Sequence, residues 1–125
     1  MKRPPPNGIS GPSIIHKYYA FLLALDLTVS RFPKHQRYAL GSRIQQTALE
    51  ILTLVLKANH AQGYKRSVAL DECSLAVDTL KILIRLAKDT KAMQEKHYLA
   101  LSVRLVEVGK MLGGWIKDAK TKRPA

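Results

Sequence analysis

Apolar residues recur at helical spacing in four segments of the chain, and short polar breaks separate these segments. The segments cover about residues 13–31, 33–59, 67–88 and 93–117. In each of them apolar side chains follow one another in steps of three and four residues, which places them on one side of an α-helix. Long amphipathic helices joined by short breaks pack side by side in alternating directions. The pattern therefore predicts an all-α fold, an antiparallel up-down four-helix bundle.

The breaks and the ends of the chain predict its domain organisation. Residues 1–12 are rich in proline and glycine, lack periodicity and predict a flexible basic arm. Residues 13–118 form the predicted bundle, and residues 119–125 a basic C-terminal tail. Residues 60–66 are predicted to be a loop, with Ser67 as the N-cap of the third helix, because serine is favoured at that position.

Apolar residues on the second, third and fourth helices occupy more than one stripe. In the third helix, Leu75, Ile82 and Leu86 lie beside the stripe that contains Val77 and Ile84. A second apolar ridge on an amphipathic helix indicates burial against another molecule. We therefore expect a homo-oligomer.

Two glycines, Gly109 and Gly113, lie four residues apart in the fourth helix. Glycine inside a helix costs up to about 1 kcal/mol relative to alanine. We expect the close approach of a neighbouring helix to offset this cost, and early fraying of the fourth helix is the alternative.

The chain is strongly basic, with 21 Lys and Arg against 9 Asp and Glu and a formal net charge of +12. Repulsion among like charges opposes folding, so such an excess usually accompanies a polyanionic partner. Aromatic residues amount to 6% and lie mostly on apolar stripes, which favours contacts to a phosphate backbone over stacking on bases. The candidate nucleic-acid- or partner-binding residues are Lys81, Arg85, Lys88, Arg31, Lys34, Arg37, Lys65, Arg66, Arg43, Lys110 and Lys117.

Residues suited to catalysis or metal binding are sparse. The four histidines are scattered, without a second ligand at metal-site spacing, and no phosphate-binding glycine loop or catalytic motif occurs. Cys73 is the single cysteine, so no intrachain disulfide forms, and we expect it to be a small buried apolar side chain. We therefore expect no enzymatic activity, no metal and no cofactor.

The apolar runs bear on the location of the protein. None approaches the roughly 18 residues needed to cross a bilayer, and the first residues do not follow the pattern of a secretory signal. We expect a cytoplasmic protein that does not bind membranes.

Four segments resemble a known family: FPK at residues 32–34, ALGSRI at 39–44, LIRLA at 83–87 and EVGKMLGGWI at 107–116. They are similar to the accessory variability determinant family, the accessory proteins of diversity-generating retroelements. The resemblance spans about residues 18–117. It implies a four-helix bundle that assembles into a cationic homopentameric barrel. It also implies association with the retroelement's reverse transcriptase and its template RNA or DNA, in support of error-prone cDNA synthesis.

The resemblance also implies a role for two cations of the third helix. Lys81 and Arg85 match two arginines, four residues apart, that the family uses in partner binding. Lysine at the first position keeps the charge but loses the bidentate geometry of arginine.

A second resemblance leaves an alternative open. NHAQG at residues 59–63 is similar to a stretch in four-helix-bundle proteins encoded by intervening sequences of bacterial large-subunit ribosomal RNA genes. This alternative is a ribosome- or rRNA-associated bundle protein. A helical oligomer whose charge serves solubility is a third interpretation.

Overall fold

Four long helices make up the structure, a computed structural model that describes residues 10–121. The predicted arm up to residue 9 and the end of the predicted tail, residues 122–125, lie outside the described residues. Within residues 10–121 there is no β-strand, which confirms the all-α prediction. The helices are α1 (Ser10–Ser30), α2 (Lys34–Gln36, a π-helical turn Arg37–Gly41, and Ser42–His60), α3 (Gly63–Asp89) and α4 (Glu95–Thr121).

The four helices form an up-down bundle. Because the turns between them are short, consecutive helices run antiparallel. Helix α1 packs beside α2 and α4, and α3 also packs beside α2 and α4. The α1–α2 side of the bundle is therefore opposite the α3–α4 side.

One apolar stripe from each helix fills the core. The phenolic hydroxyl of Tyr18 in α1 donates a hydrogen bond to the carbonyl oxygen of Ala48 in α2, so this buried polar group has a partner. The ring of Tyr18 stacks on that of Phe21, with 5.5 Å between centroids. The largest core side chains beside these are Ile14, Leu25, Ile44, Ile51, Leu70, Leu80, Ile84, Leu101 and Leu105.

The predicted loop over residues 60–66 is wrong, because α3 begins at Gly63. The turn needs only two residues, since Gly63 adopts φ 59°, which glycine reaches without strain. Ser67 is consequently not an N-cap; it lies buried in the second turn of α3, and Lys65 and Arg66 are helical. The predicted C-terminal tail begins too early, because α4 continues to Thr121, three residues into it. Ala119 still packs on the core there.

Arg66 holds the α2–α3 turn together. Its Nε donates to the carbonyl oxygen of Ala58 at 2.9 Å, and its Nη2 donates to that of Asn59 at 3.3 Å. These carbonyls belong to the last turn of α2, where intrahelical donors run out. The guanidinium also lies over the ring of Trp115 in α4, 5.9 Å from its centroid. Arg66 thus links three helices.

The expected approach of a neighbouring helix to Gly109 and Gly113 does not occur within the protomer. A Cβ atom added at Gly113 would have no neighbour within 4 Å, and one at Gly109 would meet the ammonium of Lys81 at 3.7 Å. The alternative of early fraying is also wrong, because α4 continues past both residues. The Lys81 ammonium lies beside Gly109, at a distance that would be an ordinary van der Waals contact for an added Cβ.

Cys73 is buried on α3, as expected, with its sulfur 4.0 Å from the carbonyl oxygen of Ile51. Burial disfavours the thiolate and raises the pKa of the Cys73 thiol to about 12. A thiol held neutral in this way is a poor nucleophile.

The Cys73 thiol should make the fold less stable in alkali. An unfolded thiol loses its proton near pH about 8.5. Above that pH the unfolded chain binds fewer protons than the folded chain, so the free energy of unfolding falls as pH rises. Between pH about 8 and about 9.5, we expect the free energy of unfolding of the protein, measured in urea, to fall by about 1 kcal/mol more than that of Cys73→Ala. Parallel pH profiles of the two proteins would contradict this assignment.

Candidate nucleic-acid and partner interface

Lys81, Arg85 and Lys88 form a cationic row along α3 beside α4. Their spacing of four and three residues places them on one side of the helix, and Lys81 and Arg85 are exposed. The ammonium of Lys81 lies over Gly109, where any larger residue would put a Cβ 3.7 Å from it. The sequence did not indicate this contact between Lys81 and Gly109, because the two residues come from different helices.

A groove of about 220 Å³ runs between α3 and α4 at Lys81. Its floor is apolar, with Val77 and Leu112 among the lining residues. Lys110, a predicted binding residue, lines the same groove. We name it the α3/α4 groove; the structure brings two predicted cations from separate helices together there. Its remaining lining residues are Ser74, Asp78, Val106 and Gly109.

The other two members of the row have acidic or aromatic neighbours. Arg85 and Lys88 each lie 3.6 Å from a carboxylate oxygen of Asp89. The ammonium of Lys88 also lies 4.7 Å from the centroid of the Tyr98 ring in α4, a cation–π contact. The Arg85–Asp89 pair is solvent-exposed, and such pairs contribute little to stability, whereas the Lys88 side chain is partly buried. The row is therefore open to a stronger anion.

Arg31, Lys34 and Arg37 cluster at the end of the bundle where α1 passes into α2. Arg37 is partly engaged, because its Nη1 donates to the carbonyl oxygen of Ser30 at 3.2 Å. The side chain of Gln36 donates to the Thr90 hydroxyl at 3.1 Å, which joins this turn to the α3–α4 turn. The Arg31 cluster and the C-terminal end of the cationic row consequently share one end of the bundle.

The other predicted cations do not join this surface. Lys65, Arg66 and Lys117 lie at the opposite end, where α3 begins and α4 ends, and the Arg66 guanidinium already serves the α2–α3 turn. Arg43 is exposed on α2.

All four helices carry exposed apolar side chains, and one group of them lies on the side of the bundle formed by α1 and α2. The side-chain amide of Gln45 donates to the Asp26 carboxylate at 3.1 Å across these helices. Residues at helical steps from this pair form one patch, which we name the α1/α2 face. Its exposed members are Tyr19 (60%), Leu23 (58%), Leu49 (57%) and Leu56 (40%).

The amino-acid sequence of this bundle matches a known protein family. A family model described as bAvd-like matches residues 13–119. The chain belongs to the bAvd-like family. This match confirms the resemblance to the accessory variability determinant proteins, and the bAvd-like region covers the whole described bundle except its ends. No curated protein sequence matches the chain.

The structure gives residues 59–63 of this bAvd-like protein a structural role. They form the last two residues of α2, the two-residue turn and the first residue of α3. The relation to intervening-sequence proteins stays a prediction. Among the described residues no cluster of His, Cys, Asp and Glu is arranged to hold a metal ion. None of the described helices has the length and apolar character needed to cross a membrane.

Proposed function

We propose that this protein is a non-catalytic accessory subunit of a diversity-generating retroelement. It binds the reverse transcriptase and the template RNA or DNA through cationic surfaces of a homo-oligomer, and so supports error-prone cDNA synthesis. Family membership supports the accessory role, since bAvd-like proteins are of the Avd accessory type. The observation that carries the proposal is the cationic row beside the α3/α4 groove.

The rigid placement of these charges on packed helices supports binding to a polyanion. Lys81 comes from α3 and Lys110 from α4, and both line one groove on a rigid scaffold. Cations presented by packed helices lose less conformational entropy on binding than cations of a disordered tail. They contact phosphates without reading the base sequence.

The reverse transcriptase requires a surface with apolar as well as charged contacts. Ile82 and Val103, on the outward sides of α3 and α4, are exposed near the cationic row. Interfaces between proteins combine an apolar centre with a polar rim. We assign the α3/α4 side of the bundle, with Lys81 and Arg85, to this partner.

Self-association is assigned to the α1/α2 face. This face lacks the predicted binding cations, and its acidic residue Asp26 is already hydrogen-bonded to Gln45. This hydrogen bond offsets part of the cost of burying the Asp26 carboxylate. In a ring of five copies, the number that the family resemblance implies, the face contacts a different surface of the next copy, as cyclic symmetry requires. Several copies then pool their cations into one field.

Removing two cations of the row tests the proposal. We expect Lys81→Ala with Arg85→Ala to weaken binding to the reverse transcriptase at least about tenfold, since each contact to a charged group contributes about 1.5–3 kcal/mol. The fold should persist because both side chains are exposed. A pull-down with titrated reverse transcriptase measures the effect.

The matched control removes one lysine and one arginine elsewhere. Lys57→Ala with Arg104→Ala changes the net charge equally, at exposed positions on α2 and α4. This control should bind like the unmodified protein. Equal binding by all three proteins would remove Lys81 and Arg85 from the interface.

A further inference from the structure

A second basic site, distinct from the α3/α4 groove, lies between the C-terminal end of α1 and the start of α4. It is a cleft of about 330 Å³, which we name the α1/α4 cleft. Arg31, which follows the last residue of α1, lines the cleft, and so do Lys96 and His97 in the first turn of α4. Gln94 and Thr28 also line it. Only Arg31 of these was a predicted binding residue.

The α3–α4 turn gives the cleft a fixed floor. Ala92 and Met93 line the cleft and are buried, and their backbone N–H groups both donate to the carbonyl oxygen of Ala87. Lys91, with φ 65°, reverses the chain just before them. The Gln36 side chain anchors the same turn through Thr90. The cleft is consequently a built feature of the bundle.

The charges around the cleft are unbalanced. Arg31 and Lys96 make no ion pair among the described residues. None of the lining residues is acidic, although Glu95 is adjacent in sequence to Lys96. Two cations that face one cavity repel each other unless an anion lies between them. The dipole of α4 adds positive potential, because the cleft is at its N-terminal end.

The cleft suits a doubly charged anion. A terminal phosphate carries a charge of about −1.5 to −2 at neutral pH, whereas an internal phosphodiester carries one negative charge. Two cations, an imidazole and a carboxamide match the terminal phosphate in charge and in number of donors. The volume is at the small end of ligand pockets, about 300–1,000 Å³, so the phosphate can enter with its attached sugar.

We propose that the α1/α4 cleft binds a terminal phosphate, the phosphomonoester at the end of a nucleic-acid strand or of a free nucleotide. The proposal rests on the proposed function and extends it, since it says which part of the nucleic-acid partner the cleft binds. Arg31 and Lys96 neutralise the phosphate, and His97 and Gln94 donate to its oxygens. A bundle equipped in this way positions a strand terminus near the cationic row, which lies at the same end of the bundle.

The test compares one short single-stranded oligonucleotide with a 5′-phosphate, a 3′-phosphate or two hydroxyl ends, by fluorescence anisotropy. We expect one phosphorylated form to bind at least about tenfold more tightly than the hydroxyl form. In Arg31→Gln with Lys96→Gln this ratio should fall to about one. Lys91→Gln, which removes a neighbouring charge outside the cleft, should keep the ratio. Equal affinities for all three oligonucleotides would overturn the proposal.

A second measurement separates this proposal from the proposed function. Adding a nucleoside monophosphate to the protein should shift the imidazole NMR signals of His97, while those of His16, His35 and His60 stay in place. This result is expected even if the protein binds no oligonucleotide, and it identifies a free nucleotide as a ligand. Competition between the nucleotide and the phosphorylated oligonucleotide shows whether both use the cleft. An unmoved His97 signal would overturn the proposal.

Discussion

Leu23→Glu combined with Leu49→Glu is expected to convert the proposed oligomer into folded protomers. Both side chains are more than half exposed in the protomer and lie on the α1/α2 face, so the substitutions leave the core of the bundle untouched. In the assembly they would bury carboxylates without partners, and each such group costs several kcal/mol. In the proposed ring every contact between copies carries the change, so the whole assembly should dissociate. Sedimentation equilibrium measures the mass, and circular dichroism reports the helical content.

Tyr38→Glu with Tyr64→Glu is the matched control for this result. These residues are 69% and 72% exposed and lie outside the α1/α2 face, at the two ends of the bundle. The control adds the same charge and should keep the mass of the unmodified protein. An unchanged mass of the Leu23 and Leu49 variant would show that another surface joins the copies.

Gly41→Ala is expected to lower the free energy of unfolding by about 1–3 kcal/mol. Gly41 is buried in the π-helical turn of α2, and an added Cβ would lie 2.9 Å from Val29 Cγ1 and 3.4 Å from Phe32 Cδ2. Both neighbours are buried, and Val29 is stiff because it is branched at Cβ. Overpacking of this kind costs about 1–3 kcal/mol, more than the gain in helix propensity. Urea unfolding measures the difference.

Removing the contact between the added Cβ and Val29 tests this prediction most directly. Val29→Ala removes the atom that the new Cβ meets, so the double variant should lose less stability than the sum of the two single variants. Gly113→Ala is the control, because a Cβ there has no neighbour within 4 Å. It should stabilise the protein by up to about 1 kcal/mol. Strict additivity of Gly41→Ala and Val29→Ala would mean that the close approach is not the cause.

The helices could be predicted from the sequence because their signal is local. The stripe Tyr18, Leu25 and Val29 repeats within one helix, and the same holds for Leu101, Leu105 and Val108. The start of α3 was missed for the converse reason. Residues 63–66 are polar and carry no apolar period, and the contacts that make them helical include Arg66 with the end of α2 and with Trp115.

The binding surfaces could be predicted only in part. The cationic row was recognisable because Lys81, Arg85 and Lys88 belong to one helix. The α1/α4 cleft joins Arg31 to Lys96, which are far apart in the chain and meet only through the packing of α1 on α4. The π-helical turn was likewise hidden, since it depends on how Gly41 packs beneath α1.

Sedimentation velocity of a fluorescent oligonucleotide with the protein tests the central claim most directly, because it reports binding and copy number together. At low ionic strength we expect the oligonucleotide to sediment with several copies of the chain. Raising the salt concentration should release it, because phosphate contacts are lost as counterions return. An oligonucleotide that sediments alone at low salt, beside protein of the 14.0 kDa protomer mass, would contradict the account.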